Sequence, residues 1–207
     1  MAFSSPSDTP PPAHPTPYYG RIGSDQLIHK GDRVDLVLRT VKTNSGKTIT
    51  REVCLHRGAV IILPIAPDGR IVMIRNQRHT VFDTLLELPA GTLEYAREPG
   101  EPGDATEDPA LAAARELTEE TGYSAGKVVP FGWFYTSPGI LTEKMYAFLA
   151  TELSAGRQDL EDNEQIQVEL FGKEEILGLI QENRIVDAKT IATLLKYFTA
   201  MKRADGC

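Results

Sequence analysis

Two cysteines in 207 residues, Cys54 and Cys207, leave no disulfide framework and no Cys/His pattern for a zinc site. Positive charge is also scarce: 22 Lys and Arg stand against 29 Asp and Glu, a formal net charge of −7. That balance excludes a nucleic-acid surface, which needs a basic stripe to neutralise phosphates. No apolar run approaches the length of a membrane span. The start, Met1 to Pro6, has neither the basic nor the apolar region of a secretion signal. A cytoplasmic protein that meets neither nucleic acid nor membrane is therefore expected. No internal repeat is present, and an apolar share of 41% suffices for a core. The length suits one domain with extensions.

What the chain does have is a crowded acidic helix. At roughly 100° per residue, Glu116, Glu119 and Glu120 share about a quarter of a helical circumference. Leu111, Ala114, Leu117 and Thr121 lie opposite, which predicts that they form the buried stripe. Like charges one turn apart each cost a few tenths of a kcal/mol. Glu119 and Glu120 also sit in the last turn, where the helix dipole disfavours an anion by about 0.3–1 kcal/mol. Such penalties point to a cation, and oxygen-only donors favour a hard one such as Mg²⁺. Asp108 and Pro109 form a helix start and Gly122 a stop. Upstream, Glu87-Leu88-Pro89-Ala90-Gly91 ends an apolar strand in a loop whose carbonyls could add ligands.

Along the chain, residues 1–17 hold six of the 14 prolines and read as a disordered tail. Residues 18–57 form a small N-terminal β region, with strands at Val34–Leu38 and Ile49–Leu55 around the turn Asn44-Ser45-Gly46-Lys47. The main domain follows from residue 58 to 207. Ala59 to Ile65 is a buried strand, and Asp68-Gly69 predicts a hairpin into Arg70–Gln77. Leu85–Leu88 leads to a helix over 109–121. Strands follow at about 128–136, 144–151 and 166–171, then helices at about 173–183 and 188–202. Strands interleaved with few helices, without regular βαβ repetition, predict an α+β fold.

Arg115 to Tyr123 resembles the second half of the Nudix hydrolase box, G-x5-E-x7-R-E-U-x-E-E-x-G-U, and Glu107 is in place with seven residues between it and Arg115. Gly91 lies sixteen positions before Glu107, where the family pattern has six, which implies an acidic loop inserted at about 95–106. A loop can bulge outward while both of its ends keep their places. The resemblance implies a mixed β-sheet sandwiched between helices, and an N-terminal β region used in homodimerisation. It implies metal binding by Glu116, Glu119, Glu120 and the Ala90 carbonyl, with Mg²⁺ the cofactor and Mn²⁺ a substitute. Gly91, Glu107, Arg115 and Gly122 become organisers of the motif, with Arg115 able to pair with Glu119 one turn on.

Outside the box, Ser137-Pro138-Gly139 with Glu143 looks like the S-P-G-x-x-x-E loop of ADP-ribose pyrophosphatases and their nucleotide-sugar relatives. Arg75-Asn76-Gln77-Arg78 is similar to that subgroup's R-Q-x-R strand end, which makes Arg78 a phosphate contact, since its planar fork grips oxygens in pairs. Arg51, Glu87, Gly139 and Glu143 complete the expected substrate contacts. The run Leu160 to Val168 resembles an acidic segment that supplies a base or a further metal ligand; Glu164 is the first candidate, Asp162 the second, and Glu143 the next. Ile185 to Thr190 resembles the subgroup's last helix start and reads as structural. The implied activity is Mg²⁺-dependent hydrolysis of ADP-ribose to AMP and ribose 5-phosphate. The alternatives are another nucleotide sugar of the GDP-mannose type, a dinucleotide such as NADH, or a nucleotide-binding module without turnover.

Overall fold

The described residues divide into two compact units, one formed by those up to Arg57 together with Ser137–Lys144, the other by those of Gly58–Thr136 and from Met145 onward. The computed structural model describes residues 21–94, 107–160 and 164–205. The expected tail at 1–17, the insertion at 95–106 and Asp162 all lie outside the described residues.

In the first unit, β1 (Arg21–Lys30), β2 (Val34–Lys42) and β3 (Thr48–His56) form an antiparallel sheet with β2 in the middle. β2 and β3 pair without a register break from Val34 opposite His56 to Lys42 opposite Thr48. Their turn falls where the sequence placed it: the Thr43 N–H donates to the Lys47 carbonyl (2.8 Å), and Gly46 takes a φ of 80°, which favours glycine. β1 was not anticipated, because its residues are mostly polar; pairing with β2 is what makes it a strand, and the Arg39–Asp25 ion pair (2.7 Å) ties the two. The segment from Ser137 docks on β3, with the Cys54 N–H donating to the Ile140 carbonyl (2.8 Å) and the Thr142 N–H to the Cys54 carbonyl (3.0 Å).

The second unit begins with β4 (Ala59–Pro64), buried at every position, then β5 (Ile71–Arg78), β6 (Asp83–Glu87) and the short β7 (Ala90–Thr92). Helix α1 (Pro109–Thr121) precedes β8 (Tyr123–Tyr135), β9 (Lys144–Ala155), β10 (Ile166–Phe171), α2 (Lys173–Gln181) and α3 (Ala188–Asp205). One sheet runs β7-β4-β9-β8, with β4 parallel to β9 and antiparallel to β7; the other runs β10-β5-β6. Val60 and Ile62 of β4 pack with Ala112, Ala113 and Leu117 of α1. Ile61 and Leu63, pointing the other way, pack with Ile176 and Leu179 of α2 and Leu194 of α3. A strand covered on both faces is why this segment reads as unbroken hydrophobicity. The expected α+β architecture, a mixed sheet between helices, is the one found. No helix among the described residues is long and apolar enough to cross a membrane.

Three expectations need correction. Asp68-Gly69 does turn the chain, with Gly69 at φ 84° and its N–H on the Ala66 carbonyl (2.9 Å), but β4 and β5 do not form a hairpin ladder. One bridge, Ile65 to Ile71, joins them before they part into different sheets, because each finds a longer partner, β4 in β9 and β5 in β10. The buried stripe of α1 is also rotated from its expected place. Leu111 is 68% exposed and Ala114 is exposed, while Ala112, Ala113, Leu117, Glu120 and Thr121 are buried. Two adjacent alanines let the helix backbone settle closely on Val60 and Ile62, and that rotation carries Glu120 inward. Finally, β8 starts at Tyr123 rather than near 128, directly after the helix stop, and β9 runs on to Ala155.

Candidate active site

The acidic helix is held at both ends by its own sequence. The Asp108 carboxylate accepts from the Ala110 N–H (2.7 Å), Pro109 occupies the first turn, and Gly122 closes the helix at φ 73° with its N–H on the Thr118 carbonyl (2.8 Å). At the far end Glu120 is 3% exposed, and its Oε2 accepts a hydrogen bond from the Ala90 N–H (2.8 Å). Burial pushes its carboxyl up to about 8; the Ala90 N–H and Arg78 oppose the shift, while Glu116 and Glu164 add to it. Glu116 is pushed up to about 7, again chiefly by burial, with Arg115 opposing and Glu119 and Glu164 adding. These couplings bring Glu164 into electrostatic reach of Glu116 and Glu120. Gly91 lies so close that a Cβ there would fall inside the Glu116 carboxylate. A larger residue at this position would require the Glu116 carboxylate to move away.

Arg115 is the hub of the motif. Its Nε and Nη2 donate to the two oxygens of Glu107 (3.0 and 3.1 Å), and its Nη1 meets Glu119 (2.8 Å) and Glu116 (2.9 Å). These carboxylates hold its proton more tightly than in a free guanidinium. Burial works against the charge of Glu107, but Arg115 and the Glu94 N–H hold its carboxyl below the ordinary value. Glu94 donates to Glu107 Oε2 (2.8 Å), and the Glu107 N–H returns a bond to the Glu94 carbonyl (3.3 Å). Glu94 and Glu107 are thereby clasped together.

A second cluster lies at the ends of β5 and β6. Arg78 donates from Nε and Nη2 to both oxygens of Glu87 (2.8 and 2.6 Å), and Lys189 donates to Glu87 Oε2 (2.6 Å). Lys189 also pairs with Asp187 (2.8 Å). Glu87 is 0% exposed. The Glu87 fork, working against burial, holds the Arg78 proton firmly, with Glu120 and Asp187 contributing. The sequence reading took Asp187 and Lys189, within Ile185 to Thr190, as structural only, and it missed Gln158. Asp187 caps α3 through the Thr190 N–H (2.9 Å), which leaves Lys189 in the first turn, where the helix dipole disfavours a cation. That local penalty was the available signal. Gln158 carries none, since its role depends on long-range placement: its Nε2 donates to the Glu120 carbonyl (2.6 Å) and reaches the Ile166 carbonyl (3.4 Å).

Arg51, Gly139 and Glu143 belong to the first unit. Arg51 is exposed on β3, its Nη1 on the Thr50 carbonyl (3.1 Å). Gly139 lies in a tight turn in which the Ile140 and Leu141 N–H groups donate to the Ser137 carbonyl (3.1 and 2.8 Å). Glu143 faces His56 at 3.4 Å.

Among the described residues no three His, Cys, Asp or Glu side chains already form a coordination shell. The reason is visible: Glu116 and Glu119 turn to Arg115, and Glu120 turns to the Ala90 amide. Yet the donors are all oxygen, and burial disfavours the charged forms of Glu116 and Glu120, a cost that a cation would offset. The residues present fit a hard cation.

The chain is similar to several known proteins. A family model described as the NUDIX domain matches residues 55–194. An ADP-ribose pyrophosphatase of Bacillus subtilis (strain 168) is 37% identical over 167 residues, covering 80% of this chain and 85% of that protein. A methanol dehydrogenase activator of Bacillus methanolicus is 34% identical over 168 residues, covering 80% of this chain and 85% of its own. A crystal structure of an ADP compounds hydrolase has the same fold, with a TM-score of 0.74 at 19% identity over 92% of this chain and 98% of that one.

Proposed function

The chain belongs to the Nudix family, and from that membership and its carboxylate helix we propose that it hydrolyses the pyrophosphate bond of ADP-ribose, releasing AMP and ribose 5-phosphate. The observation that carries the reading is the trio of Glu116, Glu119 and Glu120 on a helix capped at both ends, two of them lifted toward neutrality by burial. A module that only held nucleotide would not need so costly a set of charges.

Glu116, Glu119, Glu120 and the Ala90 carbonyl are the groups that would hold Mg²⁺, or Mn²⁺ in its place. When bound, the ion supplies neutralisation of phosphate charge and a lowered pKa for a coordinated water. Arg78, held by Glu87, presents its remaining N–H donors to phosphate oxygens. Glu164 takes the proton of the attacking water as the new phosphorus–oxygen bond forms and the bridging one breaks; Asp162 is the alternative base. General-base help of this kind contributes typically about 10²–10⁴-fold. Arg115 and Glu107 keep the helix and the loop of Gly91 in register. Arg51, Glu87, Gly139 and Glu143 are the further substrate-contact candidates of this reading. We take the enzyme to act in the cytoplasm as a homodimer built through the β1–β3 sheet, a reading supported by the half-exposed Leu27 and Ile28 on the outer strand β1.

The test is a substrate panel in Mg²⁺ with product identification. ADP-ribose should give the highest kcat/KM, ahead of GDP-mannose and NADH. Tight binding of ADP-ribose without turnover would overturn the enzymatic reading, and a preference for GDP-mannose or NADH would reassign the substrate.

A further inference from the structure

The cluster around Glu87 holds a cation that the reaction above leaves unused. Arg78 and Lys189 converge on one carboxylate that is 0% exposed, and Lys189 also holds Asp187, so two positive and two negative groups balance. The two cations are not placed alike. The Arg78 side chain is 31% exposed and that of Lys189 15%. Arg78 therefore faces outward, with Lys189 behind it on the same carboxylate. A guanidinium has five N–H donors, and the Glu87 fork engages two of them, so three remain for a ligand. Lys189 is also poorly placed for its own helix, in the first turn of α3.

We propose that Lys189 is a positioning residue for substrate recognition: by sharing the buried Glu87 carboxylate it cancels the excess negative charge around Arg78, so that the outward N–H donors of Arg78 can meet the diphosphate of the substrate. The inference rests on the pyrophosphohydrolase reading. Without Lys189 the cluster would carry a net charge of −1 rather than zero. Arg78 would then be the only cation on Glu87, and a doubly charged diphosphate would approach a repelling patch. The effect belongs to binding, because Lys189 stands behind the arginine rather than beside the reacting water.

The test uses the full chain and an uncleavable ADP-ribose with a methylene group in place of the bridging oxygen, with Kd measured by calorimetry in Mg²⁺. Lys189→Met and Lys189→Gln should each raise Kd about tenfold, with kcat on ADP-ribose within about threefold of wild type. Lys189→Arg should restore Kd to within about twofold. If Lys189→Met does not fold, Lys189→Gln, which keeps an N–H for Glu87 but no charge, carries the measurement. Wild-type Kd in the neutral variants overturns the inference, as does a fall in kcat without a change in Kd. A loss of affinity that Lys189→Arg does not rescue, with early melting in all three variants, would make Lys189 merely structural. If the wild-type protein neither binds the analogue nor cleaves ADP-ribose, the substrate reading fails and takes this inference with it. If it does both, a normal Kd in the variants removes this inference alone.

Discussion

A buried carboxylate such as Glu120 costs several kcal/mol unless it is protonated or meets a cation. With Glu116 lifted to about 7 and Glu120 to about 8, both from 4.5, the folded protein holds more protons than the unfolded chain between about pH 4.5 and 8. Where the native state binds the extra protons, stability falls as pH rises. In a chelator, Tm should therefore drop as pH is raised from about 5 to 9. Mg²⁺ displaces those protons, so its stabilisation should be larger at the upper end of that range than at the lower. Glu120→Gln should flatten the chelator profile and lower turnover at least about 100-fold in a protein that still melts cooperatively. Scanning calorimetry with and without Mg²⁺ checks the first two outcomes; a Tm independent of pH in chelator would contradict the assignment of these two side chains.

At the scale of elements, the site depends on where loops are tied down. Glu94 and Glu107 are joined by two hydrogen bonds, so the chain between them can change length without moving Gly91 or α1. Shortening residues 95–106 to restore a six-residue step from Gly91 to Glu107 should leave melting cooperative and keep most Mg²⁺-dependent turnover. Loss of Mg²⁺ binding in that variant would mean that the insertion supplies ligands. Gln158 and Asp159 are pinned as well: the Asp159 N–H donates to the Glu119 carbonyl (3.0 Å), and Gln158 spans the Glu120 and Ile166 carbonyls. Both bonds use carbonyls that the end of α1 leaves without helical partners. If Glu164 is the base, Glu164→Gln should lower the single-turnover rate sharply with little change in substrate affinity, and Asp162→Asn should act more mildly. A larger effect in Asp162→Asn would exchange their roles.

For the whole molecule, the two units make different demands. The second buries a core on both faces of β4, with Ile61, Ile62 and Leu63 all at 0% exposure. The first has one buried hydrophobic, Val37, among its described residues, and leaves Leu27 and Ile28 about half exposed. A three-stranded sheet with so little core gains stability by covering an exposed face. Light scattering should therefore give a solution mass of twice the 22.8 kDa chain. Charged replacements, Leu27→Glu with Ile28→Lys, should shift that mass toward the single chain while the second unit keeps its melting transition. A monomeric wild-type protein would remove the dimer from the proposed function.

The amino-acid order alone determined the elements whose causes are local. The Asp108-Pro109 start, the Gly122 stop, the Gly46 turn and the β-rich runs of β2 and β3 are set by neighbours in sequence. The carboxylate helix and the Arg115–Glu119 pair were legible for the same reason, since their spacing is a helical repeat, whereas the Glu107–Arg115 pair was seen only in the structure. Tertiary structure decided what depends on distant partners. It rotated α1 on the two small side chains Ala112 and Ala113, which buried Glu120 and set its proton affinity. It parted β4 and β5 into separate sheets, because β9 and β10 offer longer ladders than the turn between them could. It also set Lys189 on Glu87, 102 residues apart in sequence. No pattern of nearby residues encodes such a contact; it exists only when the start of α3 and the end of β6 meet over a shared core.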